Sequence, residues 1–95
     1  MIPSKRKEVY TKAIRIYGEE HQVHKAIEEM AELTVELCKH LACEGDWSHL
    51  IEELADVMVT AEQLCLIFDR PGTAVTSVME AKIKRLQERM RDADS

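Results

Sequence analysis

Apolar residues recur every three or four positions along most of the chain, the period of a helix buried on one side. The longest register runs through Val23, Ile27, Met30, Leu33, Leu37 and Leu41 and predicts a helix from Glu19 to about Cys43. Before it, Ser4 is positioned to cap a shorter helix reaching about Tyr17. Gly18 marks a break, because glycine costs a helix interior about 1 kcal/mol. Beyond Cys43, the segment Glu44-Gly45-Asp46-Trp47-Ser48 supplies a glycine for a helix stop and Asp46 or Ser48 as the next N-cap. Glu52 and Glu53 then lie near the positive end of a third helix reaching about Ile67. Phe68-Asp69-Arg70-Pro71-Gly72 reads as a turn, and Thr73 as the cap of a fourth helix with Val75, Met79, Ile83, Leu86 and Met90 on one side. The tail from Arg91 to Ser95 is expected to fray.

Short connections make the long helices antiparallel neighbours, so the expected fold is all-α, a bundle of about four helices forming a single domain over residues 1–95. Helices of this size in one layer leave an apolar face poorly covered, which predicts completion by a homodimer or homotetramer. The composition agrees: 45% of the residues are hydrophobic and 33% charged, with three Gly and two Pro. A net charge of −5 disfavours nucleic acid as the main partner. No apolar run approaches the ~20 residues of a membrane span, and Met1 to Tyr10 shows no signal-peptide pattern. A soluble, cytoplasmic protein is expected. Cys38, Cys43 and Cys65 form an odd set without CxxC spacing, which suggests neither disulfides nor a zinc site, and no base is identifiable that would make one of them a nucleophile.

The acidic residues change the picture. Glu29, Glu32 and Glu36 share one face of the second helix beside Met30, Leu33 and Leu37; Glu53 and Asp56 share a face of the third beside Leu54, Val57, Met58 and Ala61. Burying those two stripes against each other brings four carboxylates, Glu29, Glu32, Glu53 and Asp56, toward one locus. Like charges so placed either raise one another's pKa or take up a multivalent cation. Oxygen-only ligands suit a hard ion, Mg²⁺ first and Mn²⁺ as a substitute. A di-iron bundle would need Glu-x-x-His on two helices, which does not occur. The plain alternative is a solvated acidic face, but such faces are normally laced with salt bridges, and no basic residue follows Glu29, Glu32, Glu53 or Asp56 at four positions.

On the fourth helix Lys82, Arg85 and Arg89 fall on one face, where they would reach metal-held phosphates or simply favour the helix dipole near its C-terminus. Tyr10, Tyr17 and Trp47 are candidates for stacking on a base, although packing is the commoner use of lone aromatics. His21 and His24 make a weak pair of metal ligands, and His49 shares the face of Glu53 and Asp56.

The string Glu28-Glu29-x-x-Glu32, then Glu53-x-x-Asp56 after twenty residues, resembles the EExxE…ExxD signature of the MazG-like, all-α nucleotide pyrophosphohydrolases. Tyr17-Gly18 with Gln22, the run Glu52 to Val57, and Lys82 with its downstream arginines extend the resemblance over about Tyr17 to Arg89. It implies hydrolysis of a (deoxy)nucleoside triphosphate to the monophosphate and pyrophosphate. It further implies Mg²⁺ on Glu29, Glu32, Glu53 and Asp56, with Glu28 placed to orient a ligand or the attacking water and Glu28, Glu29 and Glu53 as the catalytic set. House-cleaning of the nucleotide pool is the expected role. Phosphoribosyl-ATP pyrophosphohydrolase, similar in fold and motif, and a non-catalytic helical interaction module are the alternatives.

Overall fold

Four helices account for nearly all of residues 2–94, which the computed structural model describes, and no strand occurs among them. They are α1 (Ser4–Tyr17), α2 (Glu19–Leu41), α3 (Trp47–Phe68) and α4 (Ala74–Asp94). The all-α expectation holds, and none of these helices is long and apolar enough to cross a membrane.

Gly18 both ends α1 and begins α2. Its N–H donates to the Ile14 carbonyl and its own carbonyl accepts from Gln22 N–H. It does so at φ +92° and ψ 153°, a region that essentially only glycine occupies. At the other junctions the structure reassigns several caps. Pro3, with extended backbone and no side-chain bond, occupies the N-cap of α1, so Ser4 is already helical and not the cap. α2 stops at Leu41, two residues short of the expected end, with Cys43 in the left-handed region at φ 61°. Gly45 is needed for close approach rather than as the helix stop, since a Cβ there would lie 3.1 Å from His40 N. Asp46 caps α3 as expected, accepting from Ser48 N–H at 2.9 Å.

Asp69, not Thr73, supplies the side-chain cap of α4. Its carboxylate accepts from Val75, Ala74 and Gly72 N–H at 2.9, 3.2 and 3.2 Å. Those bonds, Val75 first, hold the Asp69 carboxyl below its ordinary range. α4 stays regular through Asp94 instead of fraying from Arg91, and Ser95 lies outside the described residues.

α2 and α3 form an antiparallel hairpin, and α1 lies across both. Tyr10, buried, donates its hydroxyl to Glu62 Oε1 at 2.6 Å, and Arg6 Nη2 reaches Glu62 Oε2 at 3.0 Å, which fastens α1 to α3. The face that α2 buries is only partly its apolar stripe, of which Val23 and Leu33 are half-buried. Gln22, Ala26 and Glu29 are buried, while Ile27, Met30, Leu37 and Leu41 are exposed. α3 likewise buries Thr60, Gln63 and Ile67 and leaves Leu54 and Met58 outside. The most deeply buried positions of the two helices are therefore mainly small or polar, with Ile67 the large apolar exception and Val23, Leu33, Val57 and Leu64 half-buried beside them.

No described residue of α4 is buried and no other helix packs along it, so its stripe of Val75, Met79, Ile83, Leu86 and Met90 faces solvent. The radius of gyration is 16.4 Å, against roughly 12 Å for a compact domain of this length. The accessible surface is 7766 Å², against roughly 5,600 Å² for a folded monomer of 10.9 kDa.

Candidate metal centre and the adjoining cleft

The antiparallel register sets the middle of α2 against the first half of α3. Glu29, Glu53 and Asp56 meet there, each offering a carboxylate oxygen within 4.8 Å of the others. Glu29 is only 7% exposed, Glu53 half-buried and Asp56 exposed. Glu29 Oε2 and Glu53 Oε2 are withdrawn from water and have no hydrogen-bond partner. Burial is the chief cause that raises both carboxyl pKa values above the ordinary 4.5. At Glu53 the neighbouring Glu32 carboxyl adds to it, through a hydrogen bond that only the protonated form can make and through its charge, followed by the charges of Asp56 and Glu29. At Glu29 the charges of Glu32 and Asp56 add, and Lys25 opposes.

Glu32 is exposed and stands outside the tight trio, but it is close enough to act on both buried carboxyls. Glu28 lies on the solvent side, 3.8 Å from Lys25 Nζ. Glu36, on the same expected face, pairs instead with Lys39 at 3.5 Å. Lys25 is a member of the site that looking four residues forward from each acid overlooks. It precedes Glu29 by four positions and its Nζ lies 3.5 Å from Glu29 Oε1. Lys82, Arg85 and Arg89 are exposed on α4, and no ion pair joins them to these carboxylates among the described residues.

The trio fits a hard cation. Two buried carboxylate oxygens without donors each carry a desolvation cost that hydrogen bonds would normally offset, and a divalent ion would supply the missing charge. All the ligand atoms are carboxylate oxygens, which matches Mg²⁺ better than a softer metal.

A cleft of about 530 Å³ opens beside the carboxylates along the α2/α3 seam. Lys25, Glu29 and Asp56 line one end and Tyr17, His21, Gln22 and Gln63 the other, with Ala13, Val59 and Thr60 completing the walls. Gln22 Nε2 donates to Gln63 Oε1 at 2.6 Å, joining the helices at that level. Tyr17 and His21 stack with ring centroids 5.4 Å apart and planes at 29°. His21 and His24 thus face different partners, since His24 Nε2 lies 3.7 Å from Glu20. Of the three aromatic candidates only Tyr10 packs inside, whereas Trp47 is 74% exposed and Tyr17 62%. His49 is exposed. Another groove, about 460 Å³, runs along α1 from Ser4 to Arg15, but exposed side chains of that single helix form it and no buried group faces it.

Comparison with models of protein families, with curated proteins and with solved structures finds no match to this chain.

Proposed function

We propose that Glu29, Glu32, Glu53 and Asp56 hold Mg²⁺ and that the protein hydrolyses nucleoside triphosphates to the monophosphate and pyrophosphate, as the resemblance to MazG-like enzymes implies. The observation that carries the reading is the pair of buried, unpartnered oxygens, Glu29 Oε2 and Glu53 Oε2, in a trio of converging carboxylates. A face kept acidic for solubility would leave its oxygens to water.

Glu29, Glu32, Glu53 and Asp56 would hold the Mg²⁺, which would supply positive charge against the substrate's phosphates and the departing pyrophosphate. The chain's own groups divide the remaining work. Glu29 and Glu53 present ligands from within the seam, while Asp56 and Glu32 stand on its open side, where phosphates have access. Glu28, solvent-facing and next to Lys25, is placed to orient the attacking water. That water forms a bond to the α-phosphorus as the bond to the pyrophosphate oxygen breaks, and its proton passes to a carboxylate of the set. Lys25 contributes an ammonium at the phosphate end of the cleft.

Lys82, Arg85 and Arg89 take part only where a second copy brings its α4 across the seam. The excess surface, roughly 2,000 Å² per chain, is what an obligate homo-oligomer buries, so a homodimer or homotetramer is the working form. Three free cysteines accord with a reducing, cytoplasmic setting. The exposed apolar stripes also suit a helical interaction module without chemistry, and one assay separates the two readings. Pyrophosphate release is measured from a panel of canonical and modified nucleoside triphosphates, with and without Mg²⁺, on wild type and Glu53→Gln. Mg²⁺-dependent release that is lost in the variant supports house-cleaning hydrolysis. Release from phosphoribosyl-ATP above that from every ordinary triphosphate would move the substrate to that metabolite. Silence on all of them leaves the interaction module.

A further inference from the structure

We propose that the cleft beyond the carboxylates is a nucleobase subsite, with Tyr17 and His21 as its stacking platform and the Gln22–Gln63 amide pair as its polar edge. The inference rests on the triphosphate reading and adds to it the residues that hold the base.

Three features of the cleft lead to it. Gln22 and Glu29 are seven residues apart on α2, which at the helical rise is roughly 10 Å, a separation suited to a nucleoside spanning from its base to its 5′-phosphate. Gln63 and Asp56 repeat that interval on α3, so both walls present amides at one end and carboxylates at the other. The ligand's polarity is thereby set, with phosphates toward Glu29 and Asp56 and the base toward Gln22 and Gln63.

The amides also have capacity left over. Gln22 and Gln63 are both more than nine-tenths buried, yet the bond between them is the only hydrogen bond either side chain makes. One amide carbonyl and one whole NH₂ group therefore remain for a ligand, a donor and acceptor set that matches the edge of a base. Those free amide atoms are not sealed from solvent, and both side chains line the cleft, so a ligand entering it can reach them.

Finally, Tyr17 is exposed although it has a large apolar ring, and it already stacks on His21 at the cleft's edge. Gly18 fixes the position of that edge, because its glycine-only backbone sets the angle at which α1 delivers Tyr17 to the start of α2. A base entering the cleft extends an existing stack and needs no rearrangement of the backbone.

The test compares Mg²⁺-supported binding of α,β-imido nucleoside triphosphates, one for each common base, with that of inorganic tripolyphosphate, by calorimetry on the full chain. Wild type should prefer at least one nucleotide over tripolyphosphate by about tenfold or more. Tyr17→Ala and Gln63→Leu should each remove most of that preference while tripolyphosphate affinity stays unchanged. Tyr17 is exposed, so its variant keeps the fold and decides the question even where Gln63→Leu perturbs the seam. Equal affinity of wild type for both ligands, or a preference that survives Tyr17→Ala, overturns the subsite and leaves the phosphate reading standing. Failure of wild type to bind either ligand overturns the triphosphate reading, and the subsite falls with it.

Discussion

Lys25 Nζ stands 3.5 Å from Glu29 Oε1, while Oε2 of the same carboxylate is buried without a hydrogen-bond donor. One side chain thus carries a neutralised oxygen at the rim and an uncompensated one inside the seam. Lys25 is about half exposed, so its pair with Glu29 is worth little more than a surface ion pair. Lys25→Gln should lower the stability of the metal-free protein at neutral pH by about 0.5 kcal/mol. Mg²⁺ should recover that loss, because it supplies charge to the same carboxylate, and its own binding should tighten slightly once a competing cation is gone. Thermal melts with EDTA and with Mg²⁺ check this; a loss that Mg²⁺ leaves untouched would make the lysine's role one of packing.

The raised carboxyls of Glu29 and Glu53 fix the sign of a pH effect. A carboxyl whose pKa is raised on folding favours the folded state most below its unfolded value, near 4.5, and loses that contribution as pH climbs through the folded value. The metal-free wild type should therefore gain stability relative to Glu53→Gln as pH falls from 7 toward the carboxylate range. Working with this difference cancels titrations elsewhere in the chain. Saturating Mg²⁺ should raise the melting temperature of wild type at pH 7.5, progressively less toward pH 5, and that of Glu53→Gln hardly at all. No Mg²⁺ shift in wild type at pH 7.5 would remove the metal site.

Glu62 behaves oppositely. The Tyr10 hydroxyl, and after it the Arg6 guanidinium, hold its carboxyl below the ordinary 4.5 although burial works against them. Stability from this group is present above the unfolded pKa and disappears as pH falls through the lower folded one. Tyr10→Phe should cost about 1 kcal/mol at neutral pH and loosen α1 from α3. The gap between wild type and Glu62→Gln should stay open through pH 4.5 and close only under more acid conditions, as followed by denaturant melts. A gap that closes above pH 4.5 would contradict the assigned hydrogen bond.

The apolar stripes left outside predict assembly. Sedimentation should find a dimer or tetramer at micromolar concentration, and Ile83→Asp on α4 should shift it toward smaller species. Arg85→Glu distinguishes phosphate contact from structure: weakened substrate binding with unchanged melting supports contact across subunits, and the reverse supports a helix-stabilising role. A wild type that sediments as a monomer at all concentrations would leave α4 without a covering partner.

Much of this architecture was readable from residue order alone. The four helices, the break at Gly18 and the cap at Asp46 follow from local rules, because period, capping chemistry and backbone freedom act over a few residues. What lay beyond reach was decided by the packing of one helix on another. Periodicity locates an apolar stripe but does not say whether it meets a helix of the same chain or of another. Here α2 turns Gln22, Ala26 and Glu29 inward and Ile27, Met30, Leu37 and Leu41 outward. Lys25 joined the site because a helix neighbour lies four positions backward as well as forward. Asp69 replaced Thr73 as the cap of α4 because the turn folds its carboxylate back over three N–H groups. Residue order set the helices and their acidic edges, since those depend on neighbours along the chain. Helix packing settled which edge was buried, and so which carboxylates lost water and which amides came to line a cleft, because burial depends on what lies across the seam.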